Sequence, residues 1–171
     1  MDTGLAYWRG TRRLTGMALG LLALQLMGNL YEEVVTNAGV LADPAGRRTV
    51  GEAEVGSPLF SYVPWVPIGI ALVVVLWIRA RREAPAAVAR RLGMALGALA
   101  IAAVAKAALI VEVNPTLRDP AASEATVHEH AVVWAIGNGA AIVAVAVAVW
   151  LIVSSRAMLV DGALRARPVA A

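Results

Sequence analysis

Four stretches of the chain are apolar for long enough to cross a bilayer, and the polar residues collect between them. A span needs roughly 20 mainly apolar residues to cross a hydrocarbon core of about 30 Å. Residues 14–31, 62–78, 92–113 and 131–153 fit that requirement, the last with no charged residue inside it. The pattern predicts an all-α polytopic membrane protein, a single transmembrane domain over 1–171 folded as a four-helix up-down bundle. Residues 32–61 form a long outer loop with turn signals at Asp43-Pro44-Ala45-Gly46 and Gly56-Ser57-Pro58. A connection of that length is usually functional or disordered. The link between the second and third spans is short and basic, which predicts a tight hairpin. Asn114-Pro115 is expected to end the third helix, and Asp119-Pro120 marks a further turn before the fourth.

Composition agrees with this reading. Hydrophobic residues make up 60% of the chain and charged residues 16%, against about a quarter charged in soluble domains. Ala, Val and Leu supply most of the apolar surplus, as in membrane helices whose small residues let backbones approach. Runs such as Gly93 to Ala108 and Ala140 to Ala148 would also allow a homo-oligomer.

The net charge is +3, and its distribution is more informative than its size. Arg9, Arg12 and Arg13 precede the first span, Arg79, Arg81, Arg82, Arg90 and Arg91 fill the 79–91 link, and Arg156, Arg165 and Arg167 follow the fourth. The opposite side holds Arg47, Arg48 and Arg118, with nine of the twelve acidic residues on or near it. The excess of basic residues places both termini and the 79–91 link in the cytoplasm. Basicity here reflects topology, so no nucleic-acid partner is expected. The first span is not read as a cleaved signal peptide, because Asn29-Leu30-Tyr31-Glu32-Glu33 offers no small-residue cleavage site.

The chain has no cysteine. That removes disulfides, thiolate metal sites and dithiol redox chemistry, including quinone reduction of the vitamin-K type. No Gly-rich phosphate loop, nucleophile elbow or dinucleotide fingerprint is present, and no cofactor is expected.

Polar residues within spans are costly and invite a functional question. Gln25, Asn29 and the Glu32-Glu33 pair follow one another at helical spacing along one stripe. Gln25 is read as bonding to a neighbouring helix, whereas Asn29 and Glu33 suit a site as well as they suit a boundary in water. Lys106 lies about two turns below the outer end of the third span. Pairing with Glu112 is disfavoured because the two lie about 240° apart around the helix. Glu32 or Glu33 is the better partner if the first and third spans approach. In the fourth span His130, Trp134 and Asn138 are four residues apart and form one stripe. Histidine is the usual general base, an indole face stacks a flat ring, and a carboxamide can donate to a developing oxyanion. The plain alternative is a loop histidine, an interfacial tryptophan and an interhelical hydrogen bond. His128, Glu129 and His130 are not read as a metal site, since residues two apart on a helix point about 200° away from each other.

Gly28-Asn29-Leu30-Tyr31-Glu32-Glu33-Val34-Val35, Val55-Gly56-Ser57-Pro58, Val113-Asn114-Pro115-Thr116-Leu117-Arg118 and Asn138 after Trp134 resemble the anthrone-oxygenase-like family of small membrane proteins from bacteria and fungi. The resemblance implies a cofactor-independent enzyme acting on an aromatic or polycyclic small molecule: a base removes an acidic C–H proton, and the carbanion reacts with dioxygen. It would make His130 or Glu33 the base. Asn114, Arg118 and Asn138 would hold the enolate oxygen, and Trp134 and Tyr62 would pack the rings. Two other readings stay open. One is an acid–base isomerase or cyclase of a lipophilic natural product that uses Glu32 or Glu33 as proton donor. The other is a non-catalytic accessory or lipid-binding subunit. An enzyme should gather Asn29, Glu33, Asn114, Arg118, His130 and Asn138 around one place, whereas a scaffold can scatter them.

Overall fold

The computed structural model describes residues 3–46 and 64–165, with side chains described over 6–46 and 64–160. Tyr62, Arg47, Arg48 and the Val55–Pro58 motif lie outside the described residues.

All regular structure among the described residues is helical. The chain runs α1 (Thr3–Tyr31), a π-helical turn π1 (Glu32–Asn37), α2 (Ala38–Ala42), α3 (Trp65–Glu83), α4 (Ala86–Ala108), a second π-turn π2 (Leu109–Val113), α5 (Asn114–Arg118) and α6 (Glu124–Arg165). The segments α1–π1–α2 follow one another without a break, as do α4–π2–α5, so four long helical rods result.

Their packing follows from where the small and apolar residues fall. Beyond Tyr7, the buried positions of α1 are Thr11, Thr15, Ala18, Leu22, Gln25 and Asn29. On α3 they are Gly69, Val73, Leu76 and Ala80, and on α4 Val88, Leu92, Ala95, Leu99 and Ala102. On α6 they include Val127, Ala131, Trp134, Asn138, Ala141, Val145 and Ala148. The steps alternate between four and three, the heptad pattern that keeps a seam facing its neighbours in a left-handed bundle. Ala18, Ala80, Ala95, Ala141 and Ala148 are completely buried, because a methyl group is what fits where backbones approach closely.

α1 packs against α3 and α6, and α4 also packs against α3 and α6, so α1 and α4 stand on a diagonal. Neighbours run antiparallel. Near the foot of α1 the Tyr7 hydroxyl donates to the Leu76 carbonyl, late in α3, at 2.9 Å, while Asn138, early in α6, meets Asn29, late in α1. The outward faces are apolar: Met27, Val104, Ile136 and Trp150 are all exposed. A soluble domain rarely shows so much apolar surface.

Among the described residues, three helices are long and apolar enough to cross a membrane, within Ala6–Ala42, Ala86–Arg118 and Glu124–Val160. The shorter α3 carries Arg79, Arg81, Arg82 and Glu83 at its end and is not among them. At that end Arg79 pairs with Glu83 at 3.0 Å, and Arg81 lies 5.0 Å from the centre of the Trp77 ring. Arg156 lies 5.2 Å from that of Trp8.

Two helix ends differ from the sequence expectation. The first rod does not give way to a loop at Glu32 but continues to Ala42, because the π-turn carries the helix past the two glutamates. The third does not end at Asn114-Pro115. Pro115 sits in the first turn of α5, directly after π2, where a proline needs no backbone donor and its fixed φ suits a new helical start.

Candidate functional site

Both π-turns lie at the same end of the bundle, and the polar residues of the spans gather there. A π-turn inserts an extra residue into a helix and shifts the phase of everything beyond it; such turns recur at functional sites. Here π1 directs Glu32 and Glu33 to different neighbours. Glu32 Oε2 receives Lys106 Nζ of α4 at 2.5 Å, across the diagonal of the bundle. The same ammonium stands 5.0 Å from the centre of the Trp134 ring of α6, within cation–π range. Lys106 occupies the next position of the α4 seam after Ala102, so its stem is packed like a core side chain.

Glu33 turns toward α6. Its Oε2 accepts from Asn138 Nδ2 at 3.0 Å, and its Oε1 accepts from Asn37 Nδ2 at 3.1 Å, one turn onward in π1. Asn138 Nδ2 also donates to the Asn29 carbonyl at 3.0 Å. Chemistry fixes this amide's orientation: both of its partners only accept, so the nitrogen must face them and the oxygen must face away. Asn29 and Asn138 are fully buried. Asn29 Nδ2, Asn29 Oδ1, Asn138 Oδ1 and Gln25 Oε1 have no hydrogen-bond partner among the described residues. Burying an unpaired amide atom costs about 1–3 kcal/mol, so a cluster of four is a feature to be explained.

His130 is half-buried one turn above Trp134, and its Nδ1 meets the Thr126 carbonyl at 2.9 Å. A carbonyl only accepts, so Nδ1 carries a proton and donates it to Thr126.

Of the residues singled out from sequence, Asn29, Glu33 and Asn138 are hydrogen-bonded together, and Glu32 and Trp134 are joined through Lys106. His130 shares the stripe of Trp134 and Asn138. Asn114 is half-buried in the first turn of α5, and Arg118, at the end of that helix, is exposed, as are Glu112, His128 and Glu129. Three expected roles change. Both N–H groups of Asn138 are taken, so it has no donor left for an enolate oxygen. The Lys106 ammonium covers one face of the Trp134 ring, leaving that face closed to a substrate ring. Gln25 does not bridge to a neighbouring helix through its oxygen. Asn37 escapes a reading of the sequence, since its link to Glu33 exists only if the helix continues past Tyr31.

Below this layer α1 turns apolar at Leu22 and Ala18, both fully buried. A small cleft at the opposite end of the bundle is lined by Tyr7, Trp8, Thr15, Ser155, Arg156 and aliphatic side chains, well away from the glutamates. No family model, curated protein or solved structure matches the chain.

Proposed function

We propose that this chain is an integral membrane enzyme for a hydrophobic aromatic or polycyclic molecule, with Glu33 as its base. The observation that carries the reading is Glu33 itself: a carboxylate held by two amide donors beside buried amide atoms that have no partner. The two donors fix the carboxylate in place, one on each oxygen, and leave a lone pair on each oxygen to accept a proton.

The chain is read as spanning the bilayer four times, with α3 the shortest span and both termini in the cytoplasm. The basic residues at the α3–α4 link and at Arg9, Arg12 and Arg13, ahead of Leu14, support this orientation. At 1.5 Å per residue, Glu33 stands about 30 Å along the first rod from Leu14, where the span begins, one hydrocarbon thickness away. The polar layer is thereby assigned to the outer edge of the hydrocarbon, at the depth where an amphiphile dissolved in lipid keeps its polar end.

The reaction read for it is cofactor-independent oxygenation of the anthrone type. Glu33 takes a proton from an acidic ring CH₂, and Lys106 supplies positive charge near the developing anion. The carbanion adds dioxygen, and loss of water, one oxygen atom staying behind as the new carbonyl, completes the change from CH₂ to C=O. Dioxygen supplies both oxygen atoms and is the oxidant, so no reducing cofactor is needed.

The experiment is turnover of anthrone by protein in liposomes, followed with an oxygen electrode. One dioxygen consumed per quinone formed, falling about 100-fold in Glu33→Gln, supports the oxygenase. Proton exchange at the acidic carbon without oxygen consumption points to the isomerase or cyclase chemistry. No effect of the variant on either readout removes Glu33 from the role.

A further inference from the structure

The two halves of the chain repeat one another. Gly16-Met17-Ala18-Leu19-Gly20 of α1 recurs as Gly93-Met94-Ala95-Leu96-Gly97 of α4. The same displacement carries the buried Thr11, Thr15 and Leu22 onto the buried Val88, Leu92 and Leu99, and Asn29 onto Lys106. It also carries Glu32, the first residue of π1, onto Leu109, the first residue of π2. Since α1 and α4 stand on one diagonal and α3 and α6 on the other, a half-turn about the bundle axis relates α1–α3 to α4–α6. Two seams join the halves, α6 against α1 and α3 against α4, and the half-turn exchanges them.

We infer that each seam, at its inner end, holds the phosphate of an anionic phospholipid on an arginine stacked against tryptophan. In the first seam Arg156 of α6 lies over Trp8 of α1. In the second Arg81 of α3 lies over Trp77, whose indole rests against α4: a Cβ on Gly93 would stand 3.2 Å from Trp77 Nε1. Both arginines are exposed, and neither has a carboxylate partner among the described residues. Stacking uses the face of a guanidinium and leaves the N–H groups of its edge free, in the fork that matches two phosphate oxygens.

Apolar surface begins within a turn of each stack. Ile78 follows Trp77, Met94 follows Gly93, and Val153 precedes Arg156 by three residues; all three are exposed. The small cleft at this end is bounded by Trp8 and Arg156 and has Leu92, Ile152 and Leu159 among its walls. The occupant must therefore carry an anion and a long apolar body together. Free phosphate lacks the body, and an acidic protein segment would lay polar backbone against a hydrocarbon-facing surface. An anionic phospholipid supplies both, and basic recesses between membrane helices are where such headgroups bind. The inference goes beyond the enzyme reading and rests only on the bundle standing in a bilayer.

The test is native mass spectrometry of the detergent-solubilised full chain, given equal amounts of phosphatidylglycerol and phosphatidylcholine with identical acyl chains. Two retained phosphatidylglycerols per chain are expected. Arg156→Gln and Arg81→Gln should each weaken the retention of one of them about fivefold. Arg13→Gln and Arg82→Gln delete the same charge at the same end, also from exposed positions, and should retain both. Should Arg156→Gln fail to fold, Arg156→Lys decides: it keeps the charge without the planar fork, and is expected to lose the lipid as well. Equal losses in all four Gln variants would mean diffuse attraction and overturn the inference, as would equal retention of phosphatidylcholine. Displacement of the lipid by millimolar inorganic phosphate, or by a glutamate-rich peptide at constant ionic strength, would overturn it too, assigning the stacks to a soluble anion or to a protein.

Discussion

Lys106 of α4 and Glu32 of π1 meet at 2.5 Å across the diagonal of the bundle, joining two rods that otherwise pack against α3 and α6. Their side chains are only 13% and 14% exposed, so desolvation has to be offset by the contact itself and by the Trp134 ring. Removing one partner strands a charge. Lys106→Met is expected to destabilise the protein by about 3 kcal/mol, while Lys106→Met combined with Glu32→Met should return to within about 1 kcal/mol of the parent. Thermal unfolding in detergent measures both, and additive losses would show that the two residues do not act as a pair.

Gly137 tests the placement of π2. A Cβ at this position would stand 2.8 Å from Leu109 Cδ2 and 3.1 Å from its Cγ, and Leu109 is itself buried with Val113 and Trp134. Gly137→Ala is expected to cost about 1–3 kcal/mol. Gly139 has open space at the same distance, so Gly139→Ala should be neutral or slightly stabilising through helix propensity. Equal losses in the two variants would contradict the close approach of α6 to π2.

Tyr7 supplies a control at the other end of the bundle. Its hydroxyl donates to a carbonyl of α3 and plays no part in the proposed chemistry. Tyr7→Phe should lower stability by about 1 kcal/mol and leave any Glu33-dependent turnover unchanged. A loss of turnover at unchanged stability would tie the inner end to the reaction.

Orientation can be read by labelling, since the chain has no cysteine. A single Ala121→Cys, in the exposed link before α6, is expected to react with a membrane-impermeant maleimide on intact cells. Ala86→Cys, exposed at the start of α4, should react only after the cells are opened. The reverse pattern would invert the proposed topology.

The apolar runs are legible in the sequence because a bilayer admits few solutions: a long stretch without charge can hardly be anything but a helix. The pairing of Lys106 with a carboxylate of the first rod is also legible, because an ammonium at that depth needs a partner and Glu112 is on the wrong side of its own helix. The choice between Glu32 and Glu33 is not. It depends on π1, whose extra residue turns one glutamate toward α4 and the other toward α6, and tertiary packing rather than local propensity decides whether a helix takes on such a residue. For the same reason Pro115 reads as a stop, and Asn37 as part of a loop. One further signal is usable. Lys106 continues the four-and-three stepping of Leu92, Ala95, Leu99 and Ala102, and that spacing alone marks it as a seam residue. The unpartnered atoms of Asn29 have no signature in sequence, because whether a buried amide finds a partner depends on the rotamers of its neighbours.

The full burial of Leu22 and Ala18 beneath the amides has a consequence for the energetics of the cell. In the proposed orientation these two residues stop the polar column of α1 short of the cytoplasm, so the bundle is a cup and not a channel. Any proton taken up or released by Glu33 is exchanged with the outer face alone. Turnover would then move no charge from one side of the membrane to the other, neither drawing on the transmembrane potential nor leaking it.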